Sequence, residues 1–140
     1  MQQQIAVIAL GVTSLSASRP FYDDGFGWKA VFANDEIIFY QMNGLMLGLY
    51  LREEMEADVT RPLGTGTGAV ALAHNVPQQE DVAPLIERLV AAGGEVMRPA
   101  DPSPYGGFRG YVADPDGHLW EIAWNPYWTI DEAGHVTFGA

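Results

Sequence analysis

The residue whose chemistry most needs an explanation is Glu121, a carboxylate between apolar neighbours in the stretch that spans residues 110–126. Period-2 alternation places Glu121 on one face of a strand together with Leu119 and Ala123. A carboxylate among apolar neighbours either shifts its pKa or finds a cation. Glu121 can therefore anchor a cationic or hydrogen-bonding group of a ligand, or act as a general base or acid. It can also hydrogen-bond Arg109 or a tyrosine and only order its surroundings.

The turn Asp114-Pro115-Asp116-Gly117 positions the strand that carries Glu121. Proline presets φ at the second position of a turn, and glycine supplies the positive φ that reverses the chain. The flanking segments therefore predict a β-hairpin. The face opposite Glu121 carries His118, Trp120, Ile122 and Trp124. We expect the two tryptophans of this face to pack beneath the helices.

The same order of elements, βαβββ, occurs twice along the chain. The first module covers about residues 5–51, with a helix that starts at Thr13-Ser14 and an Asn43-Gly44 hairpin turn. Pro20 predicts that this helix starts late or bends. The second module covers about residues 69–126 and holds an amphipathic helix over residues 78–92. Residues 52–68 are predicted as a linker or mobile flap, and residues 127–140 as a C-terminal tail. The repeat predicts that the two modules belong to one domain and bury a common core.

Composition and charge exclude several classes of function. The 140 residues suit one domain, and their formal net charge of −11 disfavours nucleic acids and anionic membranes as partners. The same charge serves solubility or favours a cationic ligand. The absence of cysteine excludes disulfides, thiolate metal sites and a cysteine nucleophile. With no apolar run of ~18 residues and no signal-peptide pattern, a cytoplasmic location is expected.

The sequence resembles the vicinal oxygen chelate superfamily, which includes glyoxalase I, extradiol dioxygenases and bleomycin-resistance proteins. The residues that carry the resemblance are Gly11-Val12, Arg19-Pro-Phe-Tyr22, Gly27-Trp28, Gly110-Tyr111 and, above all, Asp114-Pro-Asp-Gly-His-Leu-Trp-Glu121. The resemblance implies an α+β fold in which two βαβββ modules form an open, eight-stranded cupped sheet with the helices outside. It also implies a ligand or metal inside the cup and a homodimer.

In the metal enzymes of this superfamily the ligands come from the first and fourth strands of each module, and Glu121 occupies one such position. The other positions fall on Val7, on Ala69 or Ala71, and on Gly48, none of which can coordinate a cation through its side chain. We therefore expect no metal cofactor. The alternative is a divalent ion held by Glu121 and unexpected ligands.

The alternation pattern does not predict that any of the three histidines replaces the missing metal ligands. His74 is predicted to point towards the helices as a hydrogen-bonded structural residue, His118 to be exposed, and His135 to lie in the tail. None of them shares a strand face with Glu121.

The leading hypothesis is a protein that binds a small molecule, cationic by preference, in the sheet cup without a catalytic metal. The rival hypothesis is a divalent-metal-dependent lyase, isomerase or dioxygenase, and a protein-interaction module is a third class. Tyr40 and Tyr50 are further candidates for aromatic walls of the cup. The predicted ligand-binding residues are Val7, Gly48, Ala71, Tyr105, Phe108, Arg109, Tyr111, Leu119 and Glu121.

Overall fold

The first four strands form one sheet in the computed structural model, which describes residues 1–64, 68–104 and 106–139. These strands are β1 (Val7–Val12), β2 (Ala30–Ala33), β3 (Ile37–Gln41) and β4 (Met46–Leu51). The order across the sheet is β1-β4-β3-β2, with β1 parallel to β4 and the other neighbours antiparallel. We call this the first sheet.

The second sheet repeats this topology. Its strands are β5 (Ala71–Asn75), β6 (Glu95–Pro102), β7 (Phe108–Ala113) and β8 (Leu119–Trp124). Their order is β5-β8-β7-β6, again with one parallel pair at the edge. The prediction of two βαβββ modules in an open α+β fold is confirmed. The eight strands are divided between two open four-stranded sheets.

The helix of the first module begins where the sequence predicts. Helix α1 (Leu15–Pro20) is capped by Ser14, whose Oγ accepts the backbone N–H of Ala17 at 3.2 Å. The α-helical turn ends at Pro20, and the chain continues as a wider, π-helical turn over Phe21–Phe26. A proline has no backbone N–H to continue the α-helical ladder, which is why the helix changes at this residue.

Two segments predicted as irregular contain regular structure. The predicted linker, residues 52–68, holds helix α2 (Arg52–Val59), on which Arg52 donates a 2.8 Å hydrogen bond to the carbonyl of Gly64. The predicted tail folds back as a hairpin of β9 (Trp128–Ile130) and β10 (Val136–Phe138), which we call the C-terminal hairpin. Within the described ranges, no helix is both long and apolar enough to cross a bilayer.

The core lies between the sheets and two helical segments, the π-helical turn and a third helix, α3 (Val82–Ala91). Helix α3 buries Val82, Ile86 and Leu89. It approaches the π-helical turn so closely that a Cβ on Gly25 would lie 2.8 Å from Leu89 Cδ2. On β8, Trp120 is only 4 % exposed and its ring lies 4.9 Å from that of Phe26. The predicted packing of Trp120 beneath the helices is confirmed, whereas Trp124 is only partly buried against the same core. Each fully buried large side chain contributes about 1.5–3 kcal/mol.

Candidate functional site in the sheet cup

The outward face of the second sheet, the face opposite the core, carries a row of polar side chains. Strand register aligns Arg98 with Tyr111, Tyr111 with Glu121, and Glu121 with Ala73. Glu121 is half-buried in this row. The predicted alternation of β8 therefore holds, with Glu121 on the outward face and Trp120 and Ile122 in the core.

Tyr111 is the cross-strand neighbour of Glu121, and the two side chains interact electrostatically. Of the two partners that the sequence left open, a tyrosine lies opposite Glu121 in the strand register, whereas Arg109 pairs with Asp101. Burial raises the pKa of the Tyr111 phenol, and the neighbouring carboxylate of Glu121 raises it further. A protonated phenol can donate a hydrogen bond to a ligand, and a carboxylate beside it can accept one from the same ligand.

Arg109, the other candidate partner of Glu121, belongs to a separate cluster on the same face. Its Nη1 lies 2.6 Å from Asp101 Oδ1, and its side chain is only 15 % exposed. Arg98 Nη2 lies 2.7 Å from the other oxygen of Asp101. The hydrogen bond from Arg98 is the main reason that the pKa of Asp101 is lowered. No sequence pattern identifies Arg98 and Asp101 as members of this cluster, because the bulges of β6 decide which of its residues reach β7.

The outward face of the first sheet is apolar at the matching positions. Register aligns Phe32 with Phe39, Phe39 with Gly48, and Gly48 with Ala9. A Cβ on Gly48 would lie 3.1 Å from Phe39 Cε1, so the ring of Phe39 covers the place where a side chain would start. Gly48 and Phe39 occupy the positions that Glu121 and Tyr111 occupy in the second sheet. We refer to the two outward faces together as the sheet cup.

Register also fixes the counterpart of Val7. Val7 pairs with Met46, two residues before Gly48, and Ala71 pairs with Leu119, two residues before Glu121. Of the two alternatives Ala69 and Ala71, the sheet therefore makes Ala71 the equivalent of Val7. Both lie on exposed parts of an edge strand.

Several predicted wall residues lie elsewhere. Phe108 faces the core, because it pairs with Trp124 and has the opposite parity to Arg109 and Tyr111, so its assignment to the cup is wrong. Tyr40 is also wrong as a cup wall, since it is fully buried and donates a 2.7 Å hydrogen bond to Asp23. Tyr105 lies outside the described residues.

Leu119 and Tyr50 remain on the outward face. Leu119 lines a cavity of about 410 Å³ beside β1, together with Gly11 and with Arg52 and Met55 of α2. Tyr50 pairs with Gly11 on the same side of the first sheet. The cup thus continues towards the segment that was predicted as a linker.

The Asp114–Gly117 turn joins the two modules. Asp114, 4 % exposed, accepts a 2.6 Å hydrogen bond from the hydroxyl of Tyr22 and a 2.8 Å bond from the backbone N–H of His118. Asp116 accepts the backbone N–H of Thr13 at 2.8 Å and the hydroxyl of Ser18. The two carboxylates of the motif therefore hold the second hairpin on the first helix and are structural.

His118 takes part in the same contact, so its prediction as an exposed residue is wrong. Its Nε2 lies 2.8 Å from the carbonyl oxygen of Gly11, and the side chain is partly buried. Only the fold brings these two residues together, since they are 107 positions apart.

Residues 4–122 match the family model of the Glyoxalase/Bleomycin resistance protein/Dioxygenase superfamily. The chain belongs to this superfamily. A crystal structure of a glyoxalase-related enzyme from Fulvimarina pelagi is 58 % identical, covers 99 % of this chain and 100 % of its own, and superposes with a TM-score of 0.96. No curated protein matches the chain.

More distant solved structures show the same fold. A glyoxalase/bleomycin resistance protein/dioxygenase family enzyme from Burkholderia phytofirmans has a TM-score of 0.74 at 17 % identity and covers 86 % of this chain and 98 % of its own. Lactoylglutathione lyase from Agrobacterium tumefaciens has a TM-score of 0.70 at 23 % identity, with 89 % and 95 % covered. At these identities the likeness extends to the fold alone.

The side chains of this superfamily member do not fit the metal site of the family's metal enzymes. At the positions in question Glu121 has a donor side chain, whereas Val7, Gly48 and Ala71 have none. Among the described residues, no group of three or more His, Asp or Glu side chains could hold an ion. We therefore derive no chemistry through a metal.

Proposed function

We propose that this superfamily member binds a small molecule in the sheet cup without a catalytic metal, and that Glu121 and Tyr111 anchor it. The observation that supports this proposal is the contrast between matching positions of the two sheets. The second sheet offers a carboxylate and a phenol, whereas the first offers Gly48 and the ring of Phe39. A ligand site of this type combines apolar walls with a few placed polar groups.

The proposed ligand has an apolar body and a hydrogen-bonding or cationic group. Phe39 and Phe32 suit the apolar part, and the Glu121 carboxylate suits an ammonium or hydroxyl donor. The formal net charge of −11 favours cations over anions at long range.

We extend the proposal to a homodimer, as the resemblance implies. Trp128 and Phe138 of the C-terminal hairpin, outside the cup, are 41 % and 84 % exposed, and a second copy would cover such apolar area. Light scattering coupled to size-exclusion chromatography would give the mass of two chains. A monomer at all concentrations would contradict this extension and leave the binding proposal in place.

Titration of 1-naphthylmethylammonium, with neutral 1-naphthalenemethanol as the matched probe, tests the anchoring role. We expect the cation to bind more tightly, and Glu121→Gln to weaken it by about tenfold, because a hydrogen bond to a charged group contributes ~1.5–3 kcal/mol. Tyr111→Phe serves as the partner variant and Asp101→Asn as the control on the same face. Equal binding of the cation to wild type and Glu121→Gln would contradict the proposal.

The second candidate function is a divalent-metal-dependent lyase, isomerase or dioxygenase in which Glu121 is a ligand. The observation that favours it is the 58 % identity to a protein described as a glyoxalase-related enzyme. Elemental analysis of untagged protein after incubation with Fe(II), Mn(II), Ni(II) and Zn(II) separates the two candidates. Retention of about one ion per chain, lost in Glu121→Gln, would replace the metal-free proposal with this one.

A further inference from the structure

A cavity of about 700 Å³ lies mainly on the core side of the sheets, lined there by residues such as Leu72, His74 and Trp120. Its walls come from Ile8 and Leu47 of the first sheet and from Leu72 and Trp120 of the second. The C-terminal hairpin forms its cover through Ile130 and Val136. Small-molecule sites commonly enclose ~300–1,000 Å³ behind mainly apolar walls, and this cavity has that size and character.

The cover comes from outside the stretch that matches the family model. That match ends at residue 122, whereas the C-terminal hairpin spans Trp128 to Phe138. It is held over the cavity by a 3.1 Å hydrogen bond from Asn43 Nδ2 to the carbonyl of Ala133. The cavity is therefore assembled by a segment beyond the family match, on the face opposite the proposed cup site.

His74 supplies a polar group to this cavity. It lies on the core side of β5, as predicted, with its ring 5.4 Å from Phe26 and 6.0 Å from Trp28, both edge to face. The prediction that it is hydrogen-bonded within the protein is wrong, since neither ring nitrogen has a partner within the described part of the chain. Burial lowers the pKa of His74, so the ring is neutral at pH 7 and has one nitrogen free to accept a hydrogen bond.

The charged groups of the cavity are acidic. Asp131 and Glu132 of the C-terminal hairpin line it. The backbone N–H of His135 is the main cause that lowers the pKa of Asp131, so this carboxylate is ionised at neutral pH. An anionic ligand would meet two like charges beside a neutral imidazole.

We propose that this cavity is a second ligand site, which binds an uncharged aromatic molecule whose hydroxyl group donates a hydrogen bond to His74. The aromatic body fits the indole rings of Trp28 and Trp120, which line the same space. The hydroxyl of the ligand donates its hydrogen bond to the His74 ring nitrogen, which has no partner within the described part of the chain. This site differs from the proposed anchor of the cup, because His74 and Trp120 lie on the sheet face opposite Glu121 and Tyr111.

Isothermal titration with 2-naphthol, 2-methoxynaphthalene and 2-naphthoate tests the proposal on the full chain. We expect 2-naphthol to bind about fivefold more tightly than its methyl ether, since one hydrogen bond contributes ~0.5–1.5 kcal/mol. 2-Naphthoate is expected to bind most weakly of the three. In His74→Phe, which keeps a planar ring, the alcohol and the ether should bind equally.

Two further variants locate the site. Ile130→Ala shortens the hairpin wall without touching the core and should weaken both neutral probes, whereas Asp101→Asn on the outward face of the second sheet should change neither. The ring proton signals of His74 should shift on addition of 2-naphthol. No binding of 2-naphthol by the wild type, or binding that His74→Phe and Ile130→Ala both leave unchanged, would overturn the proposal. Loss of 2-naphthol binding in Glu121→Gln would assign it to the cup and overturn the second site.

Discussion

The two modules share one topology but differ at the positions where chemistry can occur. In both sheets the core faces are built from large apolar side chains, such as Leu49 and Ile122, which are fully buried. The outward faces diverge: Phe39 beside Gly48 in the first sheet stands where Tyr111 beside Glu121 stands in the second. The repeated core explains why the chain folds as two similar units, and the unmatched outward faces support the proposal that the cup binds a ligand.

The two hairpin turns differ in the same way. The Asn43-Gly44 turn of the first module and the Asp114–Gly117 turn of the second occupy equivalent places, each with a glycine at φ 87°. Asn43 is exposed and donates a hydrogen bond to Ala133 of the C-terminal hairpin, whereas Asp114 is buried against the first module. The turn of the second module thus contributes to the joining of the modules, in addition to reversing its own strand.

The largest expected effect comes from breaking this contact. Asp114→Ala would leave the Tyr22 hydroxyl and two backbone N–H groups without their acceptor, so we expect the free energy of unfolding to fall by about 3 kcal/mol. The matched variant Asn43→Ala should cost less than ~1 kcal/mol, because its lost hydrogen bond is exposed. Urea unfolding measures both. Equal losses in the two variants would contradict the distinct role of the second turn.

Sequence patterns sufficed for the repeated order of elements and for the two faces of β8. Turn chemistry located both hairpins, and the alternation around Trp120 identified the buried face. Helix α2 escaped prediction because no residue in it is buried, so it has no apolar stripe to detect. The C-terminal hairpin escaped because its strands are only three residues long.

The partners within the candidate site could not be predicted from the sequence. The choice of Tyr111 over Arg109 for Glu121 depends on the register of β7 against β8. The ring of Phe108 packs against the core because alternation along β7 places it on the face opposite Arg109 and Tyr111. The sequence does show this alternation, and it is a better guide than the aromatic character of the residue. The contact of His118 with Gly11 links residues of different modules, and no local pattern encodes it.

A smaller effect is expected from adding a side chain where the first sheet has none. In Gly48→Ala the new Cβ would lie 3.1 Å from the ring of Phe39, and we expect a loss of about 1 kcal/mol as that ring is displaced. Combining it with Phe39→Ala should remove most of this added cost, which a double-mutant cycle from urea unfolding would show. If the cost of Gly48→Ala is the same in both backgrounds, the packing of Phe39 does not explain the glycine.

The smallest effect concerns titration, and it compares Tyr111 with its counterpart Phe39. Burial and the Glu121 carboxylate both raise the pKa of Tyr111, so Glu121→Gln should lower that pKa towards its ordinary value while the part due to burial stays. In Phe39→Tyr the added phenol would face Gly48, and its pKa should lie below that of Tyr111. Because the pKa of Tyr111 is raised by folding, its stabilising contribution is complete below the unfolded pKa and is lost as the pH rises through the folded one. Carbon-13 NMR titration of the ring signals measures both tyrosines, and a Tyr111 pKa that Glu121→Gln leaves unchanged would show that the carboxylate does not act on the phenol.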